Sequence, residues 1–178
     1  SLLTNLEKVC EKKDIPGVMI SIVNKDSTLY AGGVGFANIE KNETVTAQHL
    51  FRLGSISKSF AALGFVKLAD QNKVDFTAPI KAIDPNLSFK NKWHKSHPIT
   101  LEQILEHTAG FDDMHSHANY PPDNIQSLSS QEMVEAHKHS LYARWKPGER
   151  MAYSNPGYVL AGLLLEKLTN KPYDKYLK

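Results

Sequence analysis

Apolar residues recur at helical spacing from the start of the chain. Leu2, Leu3, Leu6, Val9 and Cys10 form one stripe, which predicts an amphipathic opening helix over Leu2–Lys13 that docks on something larger. Asp14-Ile15-Pro16-Gly17 ends it. Residues 18–23 and 28–37 are then rich in strand formers and are separated by the turn-forming cluster Asn24-Lys25-Asp26-Ser27, so a β-hairpin is expected. Gly32, Gly33 and Gly35 lie in the second strand with no Lys-Ser/Thr pair after them, which fits a bulge or close strand packing and not a phosphate loop.

Beyond the polar residues 40–48, Leu50-Phe51-Arg52-Leu53-Gly54 leads into a helix. Phe60, Leu63, Phe65, Val66 and Leu68 make its stretch 59–70 apolar on most sides, and a buried helix is predicted. Residues 72–97, with Pro79 and Pro85 inside and Pro98 just after, have little periodicity and read as an extended connection. Thr100-Leu101-Glu102-Gln103 has capping-box spacing and opens a short helix that stops by Gly110. Ser129-Ser130-Gln131-Glu132 opens another, carried on by Met133, Val134, Ala136, His137 and Leu141. Pro147-Gly148 is a turn, 150–154 a brief extended piece, and Asn155-Pro156-Gly157 a further turn. The last strong element is a helix over 158–168, with Val159, Leu160, Leu163, Leu164 and Leu168 toward a core and Asn170 as its C-terminal cap. A new segment opens at Pro172.

Composition narrows the class. With 178 residues and 41% hydrophobic content the chain can bury a core, as one large domain or as two lobes that share a cleft. Its 21 basic and 19 acidic residues are interspersed and leave a formal charge of +2, so no basic run forms a footprint for nucleic acid. The longest apolar stretch, 158–165, has eight residues, too few to span a membrane as a helix. The first residues lack the basic-then-apolar pattern of a leader, and Ser1 reads as the start of a processed or trimmed chain. Cys10 stands alone, which excludes an internal disulfide and a Cys-rich metal site and leaves core packing.

Candidate chemistry centres on Ser55-Ile56-Ser57-Lys58. If a helix begins near Ser55, the hydroxyl of Ser55 and the amine of Lys58 share a face one turn apart. A serine is a weak nucleophile until a neighbour accepts its proton, and a lysine in a partly desolvated site can help. The same four residues also fit a helix cap with Lys58 in solvent. Asp112-Asp113-Met114-His115-Ser116-His117 raises a metal question, set against a solvated loop that runs on into Pro121-Pro122. His137 and His139, two apart, cannot share a helical face as a ligand pair.

Ser55-Ile56-Ser57-Lys58, then Leu105-Glu106-His107-Thr108-Ala109-Gly110-Phe111, then Pro147-Gly148-Glu149 leading to Tyr153-Ser154-Asn155-Pro156-Gly157-Tyr158, come in an order that resembles the serine β-lactamase-like hydrolases. The closest branch is class C β-lactamases, D-alanyl-D-alanine carboxypeptidases and their esterase relatives, and the resemblance covers essentially the whole chain. It implies Ser55 as the acylated nucleophile, Lys58 as its proton-accepting neighbour, Tyr153 as the phenol that relays protons, and Asn155 as the amide that binds substrate and lysine. A phenol ordinarily ionises near a pKa of about 10, and a cationic neighbour brings it into a useful range. The residues alone also allow Tyr153 to be space-filling and Asn155-Pro156-Gly157 to be only a turn. His107 is implied to be structural, outside the catalytic set.

The implied fold is α/β plus all-α, a β-lactamase/transpeptidase-like fold without its C-terminal sheet strands. Residues 1–54 would start the mixed lobe and 55–178 form a mainly helical lobe, with the cleft between them. Nothing after Asn155 supplies the family's third motif, Lys-Thr-Gly or a His-x-Gly variant, whose strand lends the second oxyanion donor; losing one such donor costs ~10²–10³ in rate. The chain therefore reads as the N-terminal part of a longer protein, whose unpaired hairpin edge would tend to associate in isolation. The implied function is a serine hydrolase acting through an acyl-serine on an ester, a β-lactam or a D-amino-acid peptide. The alternative is a non-hydrolytic protein of the same fold that recognises a cell-wall peptide or partner. No cofactor or metal is implied, the partner is a small-molecule or peptide substrate, and the resemblance points to a periplasmic or secreted setting.

Overall fold

Ser1 starts the first helix by accepting the Thr4 N–H on its Oγ at 3.3 Å, and α1 runs over Leu2–Lys13 until Asp14 turns left-handed at φ 53° and closes it. The computed structural model describes residues 1–114 and 128–178, which fall into two compact units, Ser1–Gly54 and Ser55–Lys178. In the first unit, β1 (Gly17–Val23) pairs antiparallel with β2 (Thr28–Asn38) across the expected turn, where Asn24 Oδ1 accepts the N–H groups of Asp26 and Ser27. A third strand, β3 (Glu43–Thr44), extends the sheet in the order β1-β2-β3. It lies in the polar stretch 40–48, where two residues give no period to read.

The strand glycines pack closely. A Cβ on Gly33 would lie 2.2 Å from the carbonyl oxygen of Val18, and one on Gly35 would lie 2.3 Å from that of Pro16. Gly35 also has φ 77°, which side-chain-bearing residues rarely adopt. Cys10 is buried, with Val34 and Val45 the other buried apolar residues of this unit.

The second unit is built around α5 (Asn155–Thr169), in which every residue from Leu160 through Leu165 is buried. Against it pack α2 (Ser57–Asp70), α3 (Leu101–Leu105), α4 (Ser130–Ala136) and the short α6 (Tyr173–Tyr176). Phe65, Ile80, Leu101, Ile104, Phe111, Leu141, Leu160, Leu164 and Leu165 are all essentially inaccessible. Each such side chain contributes about 1.5–3 kcal/mol relative to exposure. Both capping boxes form: Thr100 and Gln103 satisfy each other's backbone at the start of α3, and Ser129 and Glu132 do so at α4.

Three expectations are corrected. First, α2 is not buried on most sides. Ala61, Gly64, Phe65 and Leu68 make its buried stripe at helical spacing, while Phe60, Leu63 and Val66 are at least half exposed. Apolar content marked the helix, but only the stripe facing α5 has a neighbour to cover it among the described residues. Second, residues 72–97 are not extended: a one-turn 3₁₀ helix at Ile80–Ala82 and side-chain turns at Asp75, Asp84 and Asn91 fold the segment back on itself. It is anchored by buried Ile80 and Leu87. Third, Asn155-Pro156-Gly157 is the first turn of α5 and not a separate turn, because Ser154 caps the helix through the Gly157 N–H and a first-turn proline gives up no hydrogen bond.

Candidate active site

Ser55 lies in a 3₁₀ turn, Gly54–Ile56, that runs directly into α2. Gly54 at φ 56° supplies the left-handed residue before the turn. Lys58 follows in the first turn of α2, and its Nζ donates to Ser55 Oγ at 3.2 Å. The one-turn spacing in the sequence is thus a direct contact in space.

The other half of the site comes from the start of α5. Ser154 is extended, at φ −141° and ψ 111°, so its side chain points opposite to those of Tyr153 and Asn155. Its own polar atoms face inward and are satisfied. The backbone N–H donates to His107 Nδ1 at 3.1 Å, while Oγ donates to the Asp112 carbonyl at 2.8 Å and accepts the Gly157 N–H at 3.1 Å. With Ser154 pinned, Tyr153 and Asn155 turn to the same side. Tyr153 Oη lies 2.6 Å from Ser55 Oγ, and Asn155 Oδ1 accepts from Lys58 Nζ at 2.7 Å. All four residues marked in the sequence meet at one point.

That point is open to solvent. Ser55 and Tyr153 are exposed and Lys58 is half-buried. Partial burial pushes the Tyr153 phenol up, but polar contact with Lys58 and Ser55 and the charge of Lys58 together outweigh it and hold the phenol below its ordinary value. Asp113 works against that lowering.

His107 stands behind Tyr153. Its ring is tilted 30° to the phenol with centroids 4.3 Å apart, and it also faces Tyr158 at 5.2 Å. Burial, then the charge of Lys58, pull its pKa down, and Nδ1 is occupied as an acceptor by the Ser154 N–H. A neutral imidazole with Nδ1 unprotonated fits both observations.

Sequence reasoning missed Asp113, which it met only within the metal question. Asp113 Oδ1 accepts both the backbone N–H of Asn155, at 2.9 Å, and its Nδ2, at 3.1 Å. Asp112 pairs with Arg144 at 2.9 Å, and the same guanidinium donates to the carbonyls of Phe111 and Gly110. No sequence period signals such contacts; the one available clue was two carboxylates placed just after the His107 to Phe111 segment. His115 and His117 lie outside the described residues, and among the described residues no group of three or more His, Cys, Asp or Glu is placed to hold a metal ion.

The order of motifs and this geometry point to the family of β-lactamase-type serine hydrolases. Residues 3–178 match the family described as Beta-lactamase, and the chain belongs to that family. The fold is β-lactamase/transpeptidase-like. The structure of an octameric penicillin-binding protein homologue from Pyrococcus abyssi superposes at TM-score 0.80 with 27% identity, covering 98% of this chain and 41% of that one. D-amino acid amidase from Ochrobactrum anthropi superposes at 0.79 with 29% identity, covering 99% and 46%. Among curated proteins, Protein flp of Staphylococcus aureus (strain COL) is 26% identical over 182 residues, 98% of this chain and 34% of its own length. The chain thus spans about a third of the length of the curated relatives it matches.

Proposed function

We propose that the whole protein is a serine acyl hydrolase whose nucleophile is Ser55 and whose substrate is an ester, a β-lactam or a D-amino-acid peptide. The observation that carries this reading is the contact of Ser55 Oγ with two proton-handling groups at once, Tyr153 Oη at 2.6 Å and Lys58 Nζ at 3.2 Å. Kinship with penicillin-binding proteins and a D-amino acid amidase supports the substrate class.

Ser55 Oγ attacks the substrate carbonyl carbon, and its proton passes to the Lys58–Tyr153 pair. The acyl–oxygen bond forms as the bond to the leaving amine or alcohol breaks, and that leaving group takes the proton back through Tyr153. Water then attacks the acyl-serine, gives its proton to the same pair, and releases the acid with Ser55 restored. Asn155 holds Lys58 in place and offers its amide to the substrate. The Ser55 N–H, at the head of α2, is one donor for the oxyanion.

Mixing the whole protein with an activated ester is expected to give a burst of one leaving group per molecule, undiminished by a chelator because every proton acceptor named is a side chain. Ser55→Ala removes the burst. Turnover unchanged in Ser55→Ala overturns the reading. Ligand binding without turnover that survives both Ser55→Ala and Lys58→Ala favours the non-hydrolytic alternative.

A further inference from the structure

Asn155 presents a problem of orientation. A carboxamide has two ends of nearly equal size and opposite polarity, and only one of them can accept from an ammonium. Lys58 Nζ needs the oxygen, which it meets at 2.7 Å. A flipped amide would turn its own donors toward the cation.

We propose that Asp113 is the positioning residue of this site: its carboxylate holds Asn155 in the one orientation that serves Lys58, and its charge balances that of the lysine beside Tyr153. This rests on the acyl-serine reading above. Three observations carry it. Asp113 Oδ1 takes the Asn155 Nδ2 at 3.1 Å, so Oδ1 of the amide must face the other way. The same oxygen takes the Asn155 backbone N–H at 2.9 Å, which places an anion at the start of α5, where the helix dipole favours one. The segment that carries Asp113 is itself held, by Arg144 on Asp112 and on the carbonyls of Gly110 and Phe111, and by Ser140 Oγ donating to the Asp113 carbonyl. Burial alone would raise the Asp113 carboxyl, but hydrogen bonds from Asn155 and Met114 and the charge of Lys58 bring it below its ordinary value, so it is anionic at neutral pH.

Among the described residues, the charged and titratable groups around Tyr153 are Lys58 on α2, His107 after α3, Asp113, and Tyr158 on α5. Asp112 is next to Asp113 in the chain and is paired with Arg144. Of these, Lys58 lowers the phenol and Asp113 raises it. Removing the negative charge at 113 should therefore lower the phenol further.

The test uses Asp113→Asn, Asp113→Ala and Asp113→Glu in the whole protein, with two readouts. The first is kcat/KM for an activated ester against pH. The second is the ultraviolet phenolate titration of Tyr153, taken as the difference between each protein and its Tyr153→Phe counterpart. The expected result is a loss of about 10²-fold in kcat/KM for Asp113→Ala, the scale of a misplaced reacting group. The acid limb and the phenolate titration should move together to lower pH in both Asp113→Asn and Asp113→Ala, with partial recovery of rate in Asp113→Glu. A rate loss with both titrations unmoved, or no loss at all, overturns the proposal. The phenolate titration needs no turnover, so it judges Asp113 even if the acyl-serine reading fails, and that reading fails separately if the wild-type protein gives no burst.

Discussion

Lys58→Ala is expected to lower kcat/KM for an activated ester by about 10²–10⁴-fold, the range contributed by a positioned proton-transfer group. The side chain supplies two things at once. Its Nζ bridges Ser55 Oγ and Asn155 Oδ1, at 3.2 and 2.7 Å, and its charge lies 4.9 Å from the centre of the Tyr153 ring. Losing the charge removes influences that hold the phenol down, so the acid limb of the pH profile should move to higher pH, opposite in sign to the shift expected on removing Asp113. Lys58→Arg separates the two contributions. It keeps the charge, so the limb should stay low, but a planar fork cannot take the place of a single ammonium between two oxygens, and the rate should not recover. A Lys58→Ala enzyme within tenfold of wild type contradicts the role given to the lysine.

Phe111→Ala is expected to destabilise the protein by about 3–5 kcal/mol, the usual cost of emptying a large buried aromatic site. Phe111 is 1% exposed and meets the edge of Phe89 with ring centroids 6.1 Å apart. It also comes immediately before Asp112 and Asp113, and its carbonyl is one of those gripped by Arg144. The substitution should therefore cost activity in the folded fraction as well as stability. Urea unfolding followed by circular dichroism, paired with the burst amplitude at low urea, reads both effects. A midpoint unchanged by the substitution would contradict the packing described.

These two residues mark the boundary of what the sequence could say. Local signals were legible where the chemistry is local. The opening helix ends at Lys13 as its period implied, the hairpin turns at Asn24 to Ser27, and both capping boxes close on the residues that spell them. Ser55, Lys58, Tyr153 and Asn155 were legible because their motifs resemble those of a family, and the structure brings them together. Signals that depend on what lies opposite were not legible. Phe60, Leu63 and Val66 look like core residues in a row of letters, yet they face away from α5. Asn155-Pro156-Gly157 has turn composition, and only the cap from Ser154 makes it a helix start. Asp113 entered the sequence reading only as one of two carboxylates and two histidines in a metal question set against a solvated loop, and its contact with Asn155, far along the chain, has no sequence signal.

The most direct measurement is peptide mass mapping of the whole protein after brief exposure to an activated ester or a penicillin. Three serines lie within the quoted motifs, Ser55, Ser57 and Ser154, and of these only Ser55 has its Oγ on both Lys58 and Tyr153, while that of Ser154 is buried and committed to Asp112 and Gly157. The account predicts a single acyl adduct on Ser55, absent in Ser55→Ala and slowed in Lys58→Ala. An adduct on Ser57 or Ser154, or turnover with no adduct at Ser55, would contradict it.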